Sequence, residues 1–135
     1  MITHIHHINF IVKDLNQAIE RFEGLFGGAK FLVDTLEKRA VKTARLKLGD
    51  TWFVLVQPTD PDSIPGKHLR DHGEGFFLVS LGTDELDAQL ARLAGEEGIT
   101  PSSAKRRGLE NWQVVDLPID KFFGTQIQLC EEINS

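Results

Sequence analysis

An order of elements that occurs twice constrains this chain more than any other feature. Residues Ile5–Val12 are rich in β-branched side chains and read as a strand. Asp14 then stands at an N-cap position, and Leu15, Ala18, Ile19, Phe22, Leu25 and Phe26 follow at helical spacing. Gly27-Gly28 ends that helix, because glycine accepts the left-handed backbone that closes one. Strand-like runs follow at Ala29–Thr35, Val41–Leu48 and Thr51–Gln57, with a hairpin turn expected at Gly49-Asp50. The order then restarts. Gly75–Leu81 reads as a strand, and Asp84 is placed to cap a helix carrying Leu86, Leu90, Leu93 and Ala94. Gly95 and Gly98 close it, and Trp112–Asp116 and Gly124–Glu131 are strands; the polar run Ile99–Arg107 has no clear period. Aligning Leu15 with Leu86 sets Ile8 on Val79, Ile19 on Leu90 and Phe22 on Leu93. The shared order, more than the side chains, argues for an internal duplication.

Between the repeats, Pro58, Pro61 and Pro65 cannot continue a central strand, so a connector is expected there, with a helical turn over His68–Asp71. The reading is one domain over residues 1–135: a first module at 4–58, a linker at 59–73 and a second module at 74–132. An apolar share of 41% and nine Phe supply enough surface to offset chain entropy, which excludes disorder. A net charge of −5 argues against nucleic acid and anionic membrane as partners. Cys130 is the single cysteine and cannot form an internal disulfide. No basic segment precedes an apolar run near Met1, and no stretch nears the ~20 apolar residues that a membrane span needs. A cytoplasmic protein is expected.

The run His7-Ile8-Asn9-Phe10-Ile11-Val12-Lys13-Asp14-Leu15, with Ala18, Phe22 and Leu25-Phe26-Gly27, resembles the opening of vicinal oxygen chelate proteins. That superfamily includes glyoxalase I, bleomycin-resistance proteins, extradiol dioxygenases and methylmalonyl-CoA epimerase. Val56-Gln57-Pro58 and Gly73-Glu74-Gly75-Phe76-Phe77 resemble the epimerase-like branch, and Gly124–Glu131 resembles the family's last strand. The resemblance implies an α+β fold of two βαβββ modules forming a cupped mixed sheet around one pocket. It also implies a divalent metal held at four positions, which here are His7, Val54, Leu78 and Gln128. Only His7 keeps the family's residue type. Valine and leucine carry no donor atom, and the glutamine amide can neither offset an ion's charge nor accept a proton as glutamate does. No metal cofactor is therefore expected; a divalent ion belongs to the alternative reading, a metal-dependent lyase, isomerase or dioxygenase.

Strand alternation sets His7 and Asn9 on one face of the first strand, and His4 and His6 on the other, so His6 is not expected to join His7. The same parity places Trp52, Val54, Val56, Leu78, Ser80, Gln126 and Gln128 on the pocket side with them. Apolar walls with a few amides, a hydroxyl and an imidazole suit a small organic ligand. His7 is the candidate acid/base, and the acidic chain favours a neutral to cationic ligand. His68 and His72 have a helical metal-pair spacing but no third donor and read as a solvated face. Lys105-Arg106-Arg107 reads as an exposed loop cluster that could also grip an anionic ligand. Cys130 has no evident activating neighbour and is expected to be inert. The family resemblance implies a homodimer, and an exposed Phe122-Phe123 pair is assigned to an interface or the pocket mouth.

Overall fold

The computed structural model describes residues 1–36 and 39–133. Both βαβββ runs are present. The first is β1 (Ile2–Ile11), α1 (Leu15–Leu25), β2 (Leu32–Leu36), β3 (Val41–Leu48) and β4 (Thr51–Pro58). The second is β5 (Gly75–Thr83), α3 (Leu86–Arg92), β6 (Arg106–Arg107), β7 (Trp112–Asp116) and β8 (Ile127–Glu132). Between them α2 (Ile64–His72) extends well beyond the turn expected at His68–Asp71, because Ser63 Oγ caps it by accepting from Gly66 N at 3.1 Å. By contacts the chain divides into two compact units, Ile8–Phe77 and Met1–His7 with Leu78–Ser135.

In the unit Ile8–Phe77, α1 begins where the sequence places it. Asp14 Oδ1 accepts from Gln17 N at 3.1 Å, and Gln57 Oε1 accepts from Leu15 N at 2.8 Å. Such caps satisfy amides that no helical carbonyl can reach, each contributing about 1 kcal/mol. β3 and β4 form an antiparallel hairpin around Gly49, whose φ of +60° suits glycine. Their register pairs Thr43 with Val56, Arg45 with Val54 and Lys47 with Trp52, so these residues share one face. The other face carries Ala44, Leu46, Phe53 and Leu55, which pack with Val12, Leu15 and Phe31 and with Phe10, Phe22 and Phe26. Phe53 is the hub of that face, with ring centroids of Phe22, Phe10 and Phe26 at 4.9, 5.0 and 5.3 Å.

In the other unit β5 runs parallel to β8, and β8 and β7, then β7 and β6, are antiparallel. Leu86, Val115, Leu117 and Leu129 form the core under α3, with Leu90, Leu93 and Phe122 against it. Three local expectations are corrected here: the cap of α3, the start of the last strand and the shared exposure of Phe122 and Phe123. Asp84 does not cap α3: Glu85 occupies the cap position without a side-chain bond, and Glu131 Oε1 on β8 accepts from Leu86 N at 2.9 Å instead. The helix ends in a wide turn over Leu93–Glu97 that contains Gly95, and Gly98 closes it at φ +65°. The last strand starts at Ile127, not Gly124, because Gly124 N and Thr125 N turn back to the carbonyls of Ile119 and Phe122, both at 3.1 Å. The Phe122-Phe123 pair splits: Phe122 packs into the core and Phe123 is fully exposed. Among the described residues no helix is long and apolar enough to cross a membrane.

Candidate functional site

The structure overturns the separation of His6 from His7. Both imidazoles are buried, and their Nδ1 atoms lie 2.9 Å apart. Alternation fixes the direction in which Cβ leaves the strand, but not where a ring beyond it ends. Here Trp112 of β7 gathers both rings. The His7 ring stacks on it at 4.7 Å and 16°, and the His6 ring meets it edge-on at 4.6 Å. Glu132 Oε1 then holds His6 Nε2 at 2.8 Å. Burial, and the nearby His6, push the His7 imidazole down to about 3, while the neighbouring Gln128 amide acts the other way. His7 is therefore neutral at physiological pH and too weakly basic to carry a proton efficiently there.

Cys130 on β8 lies in the same cluster and is fully buried. Its sulfur and one ring nitrogen from each of His6 and His7 all fall within 4.8 Å of one another. Burial and the Glu132 carboxylate push the thiol up to about 12, which disfavours the thiolate at neutral pH, although two imidazoles stand where the sequence shows no activating neighbour. Register sets Ser80 beside Gln128 on β5 and β8, and Asp116 beside Gln128 on β7 and β8. Gln128 Nε2 donates to Asp116 Oδ1 at 3.1 Å, and Arg106 Nη2 holds the same carboxylate at 3.1 Å. Gln126 is occupied locally: its Nε2 donates to the Leu117 and Ile127 carbonyls, both at 3.0 Å. Leu78 and Ser80 are buried.

In the unit Ile8–Phe77, Phe10 and Val12 pack toward α1, so Asn9 takes the opposite face by alternation. That is also the face of Thr43, Arg45, Trp52, Val54 and Val56. Val54, Val56, Thr43 and Arg45 are buried and Trp52 is half-buried. The Arg45 guanidinium stands 4.8 Å over the Trp52 ring. Asn9 Oδ1 and Thr43 Oγ1 are buried and meet no hydrogen-bond partner among the described residues.

The basic run is accounted for by structural pairs. Lys105 Nζ binds Asp87 at 2.7 Å, Arg106 binds Asp116, and Arg107 Nη1 donates to the Glu110 carbonyl at 3.3 Å. His68 and His72 stack at 4.7 Å on α2, with the His68 ring edge against Phe77. His6, Trp112 and Glu132, and Thr43 and Arg45 in the other unit, are site residues that sequence reasoning missed. Thr43 and Arg45 were within reach, since a hairpin at Gly49-Asp50 sets their parity against Val56 and Val54. Trp112 meeting β1 is a long-range event with no local signal.

The donor set implied by the family does not fit a divalent ion. Val54 and Leu78 are buried hydrocarbon, and the amide nitrogen of Gln128 is bonded to Asp116. The family model described as Glyoxalase/Bleomycin resistance protein/Dioxygenase superfamily matches residues 6–115. A structure of methylmalonyl-CoA epimerase in complex with methylmalonyl-CoA and NH4+ is similar at 26% identity and TM-score 0.89, covering 98% of this chain and 96% of that one. A variant of the Streptomyces coelicolor methylmalonyl-CoA epimerase in complex with 2-nitronate-propionyl-CoA gives the same figures: 26% identity, TM-score 0.89, and 98% and 96% coverage. The Mycobacterium tuberculosis methylmalonyl-CoA epimerase, at 24% identity, shares the fold with TM-score 0.89 over 98% of this chain and 90% of that one. No curated protein matches the sequence.

Proposed function

This chain belongs to the glyoxalase/bleomycin resistance protein/dioxygenase superfamily, and from that premise we propose that it binds a small organic molecule bearing an acidic group, without the divalent ion that the family pattern would hold jointly by His7, Val54, Leu78 and Gln128. One observation carries the reading: the face of β3 and β4 turned away from α1 buries polar groups among apolar ones. Asn9 Oδ1 and Thr43 Oγ1 are held there without a partner, and Arg45 is buried on the same face. A buried polar atom left unsatisfied costs about 1–3 kcal/mol, which a ligand that bonds it removes. The guanidinium favours a carboxylate or phosphate over the cationic ligand that net charge alone suggests. The similar solved structures hold methylmalonyl-CoA and 2-nitronate-propionyl-CoA, which supports an acyl compound as the ligand.

Likeness to epimerases is what favours the second reading, a metal-dependent isomerase, lyase or dioxygenase. Two hydrocarbon side chains among its four metal positions weigh against it. A metal-free enzyme using His7 as base is weakened by an imidazole held at about 3. The proposal extends to a cytoplasmic homodimer with its modules at 4–58 and 74–132, and with neither nucleic acid nor membrane as partner, which the net charge of −5 supports.

A thermal-shift screen on metal-stripped protein tests the ligand class. Small carboxylic acids and acyl-CoA thioesters are expected to raise Tm. Hits confined to cationic compounds, or hits that appear only with added divalent metal, overturn the reading.

A further inference from the structure

The buried side chains of β1 and β8 form a second constellation that the family pattern does not assign. We infer that His6, His7 and Cys130 form a binding site for a thiophilic divalent cation of the zinc class. The ring nitrogens and the sulfur already lie within 4.8 Å of one another, and the two Nδ1 atoms are 2.9 Å apart. Two imidazoles and a thiolate are the borderline-soft donors that zinc takes, and three protein ligands leave a fourth position open.

What surrounds the donors makes this more than side chains that happen to be close. Glu132 Oε1 holds His6 Nε2 at 2.8 Å, which keeps a proton on that nitrogen and turns the Nδ1 lone pair inward. A carboxylate behind a histidine is a recurrent way to orient a metal ligand. The stacked Trp112 ring fixes the plane of His7. A dication, the Cys130 thiolate and the Glu132 carboxylate sum to no net charge, which removes the main objection to a buried ion.

The proton balance is simple. The cation takes the sulfur and both Nδ1 lone pairs. The thiol proton leaves to solvent. The proton shared between the two Nδ1 atoms moves to His7 Nε2 and stays there, with the Gln128 carbonyl oxygen able to accept a hydrogen bond from that N–H. One proton is released per cation and no oxidation state changes.

Titration of metal-stripped protein with Co2+, then with Zn2+ as competitor, decides the matter. The expected result is saturation near about one equivalent with release of about one proton, a sulfur-to-cobalt charge-transfer band, and displacement by Zn2+. Cys130→Ser should abolish the band. Glu132→Gln should keep the band but weaken binding by about 10- to 100-fold, as loss of an outer partner does. Glu132 is half-exposed, so that variant keeps the test alive if Cys130→Ser fails to fold by circular dichroism. Absence of saturable binding overturns the inference, as does binding without the band that Cys130→Ser and His6→Asn leave unchanged. The titration contains no organic ligand, so its failure leaves the ligand proposal standing, and failure of the ligand screen leaves this site standing.

Discussion

In the first βαβββ run, the contact between α1 and the sheet is built largely from rings: Phe22 and Phe26 of the helix and its end meet Phe10, Phe31 and Phe53. In the second, α3 covers an aliphatic face of Val115, Leu117 and Leu129, with Phe122 the one ring of that cluster. The faces turned away from the helices differ more. The first carries Asn9, Thr43, Arg45, Val54 and Val56, a cation and short polar groups among valines. The second carries Trp112, Gln128 and Cys130, with both histidines of β1 gathered against the tryptophan. A helix-covered face must stay apolar whatever its side chains, because any hydrocarbon of suitable volume serves there. The opposite face is under no such demand, so the two runs keep one order of elements while their chemistry diverges.

If the aromatic face is one cooperative cluster, its hub should be its most sensitive point. Phe53→Ala is expected to cost about 3–5 kcal/mol, in the range for removing a well-packed ring. Urea unfolding measures it. A cost at the level of a surface change would show that the rings of α1 close over the gap, and the contrast with the aliphatic core would lose its force.

The histidine cluster predicts an acid sensitivity centred on His7. The folded pKa of His7, about 3, lies below the ordinary imidazole value of 6.5, so the unfolded chain binds the proton more readily. The stability it contributes is therefore fully present above about 6.5 and is lost as pH falls from there toward about 3, a change of a few kcal/mol. Urea midpoints across that window should fall, and His7→Gln should flatten the slope. An equal slope in the variant would move the acid sensitivity away from this cluster.

Much of the fold was legible because its signals are local. The Asp14 cap, the glycines at 27 and 28, the Gly49 hairpin and the strand Trp112–Asp116 each rest on a few adjacent residues. The failures are non-local. Asp84 looks like a cap, but the amide it was assigned to is taken by Glu131 from β8. His6 looks like an outward residue, but Trp112, more than a hundred positions away, draws its ring in. Parity assigns Val54, Val56, Ser80 and Gln126 to the pocket side; Val54, Val56 and Ser80 are buried, and the Gln126 amide is bound to nearby carbonyls, partners that parity does not foresee.

A smaller effect tests the proposed dimer. Phe123 is fully exposed at φ +59°, a conformation that costs a bulky residue roughly 1–2 kcal/mol. Phe123→Gly should therefore stabilise an isolated chain by about 1 kcal/mol. If the ring serves a contact between two copies, light scattering should show the mass fall toward 15.1 kDa in the same variant. A stabilised protein of unchanged mass would remove Phe123 from any interface.

The smallest expected change in stability is the most informative about ligand binding. Thr43 Oγ1 is buried without a hydrogen-bond partner among the described residues, on the face shared with Arg45 and Val54. Valine has nearly the same shape and no hydroxyl. Removing an unsatisfied buried hydroxyl takes away its desolvation cost, so Thr43→Val should leave stability within about 0.5 kcal/mol of the parent or raise it. A structural hydroxyl behaves oppositely, because its lost bond would lower Tm. The same substitution deletes a group to which an acidic organic ligand would bond, so the Tm rise given by such a ligand should shrink while the ligand-free Tm holds. That pairing, unchanged stability with weakened binding, separates a face kept polar for a guest from one that is merely imperfectly packed. A clear loss of ligand-free stability in Thr43→Val would show that the hydroxyl has a partner in the folded chain, and the first run's polar face would then be structure rather than site.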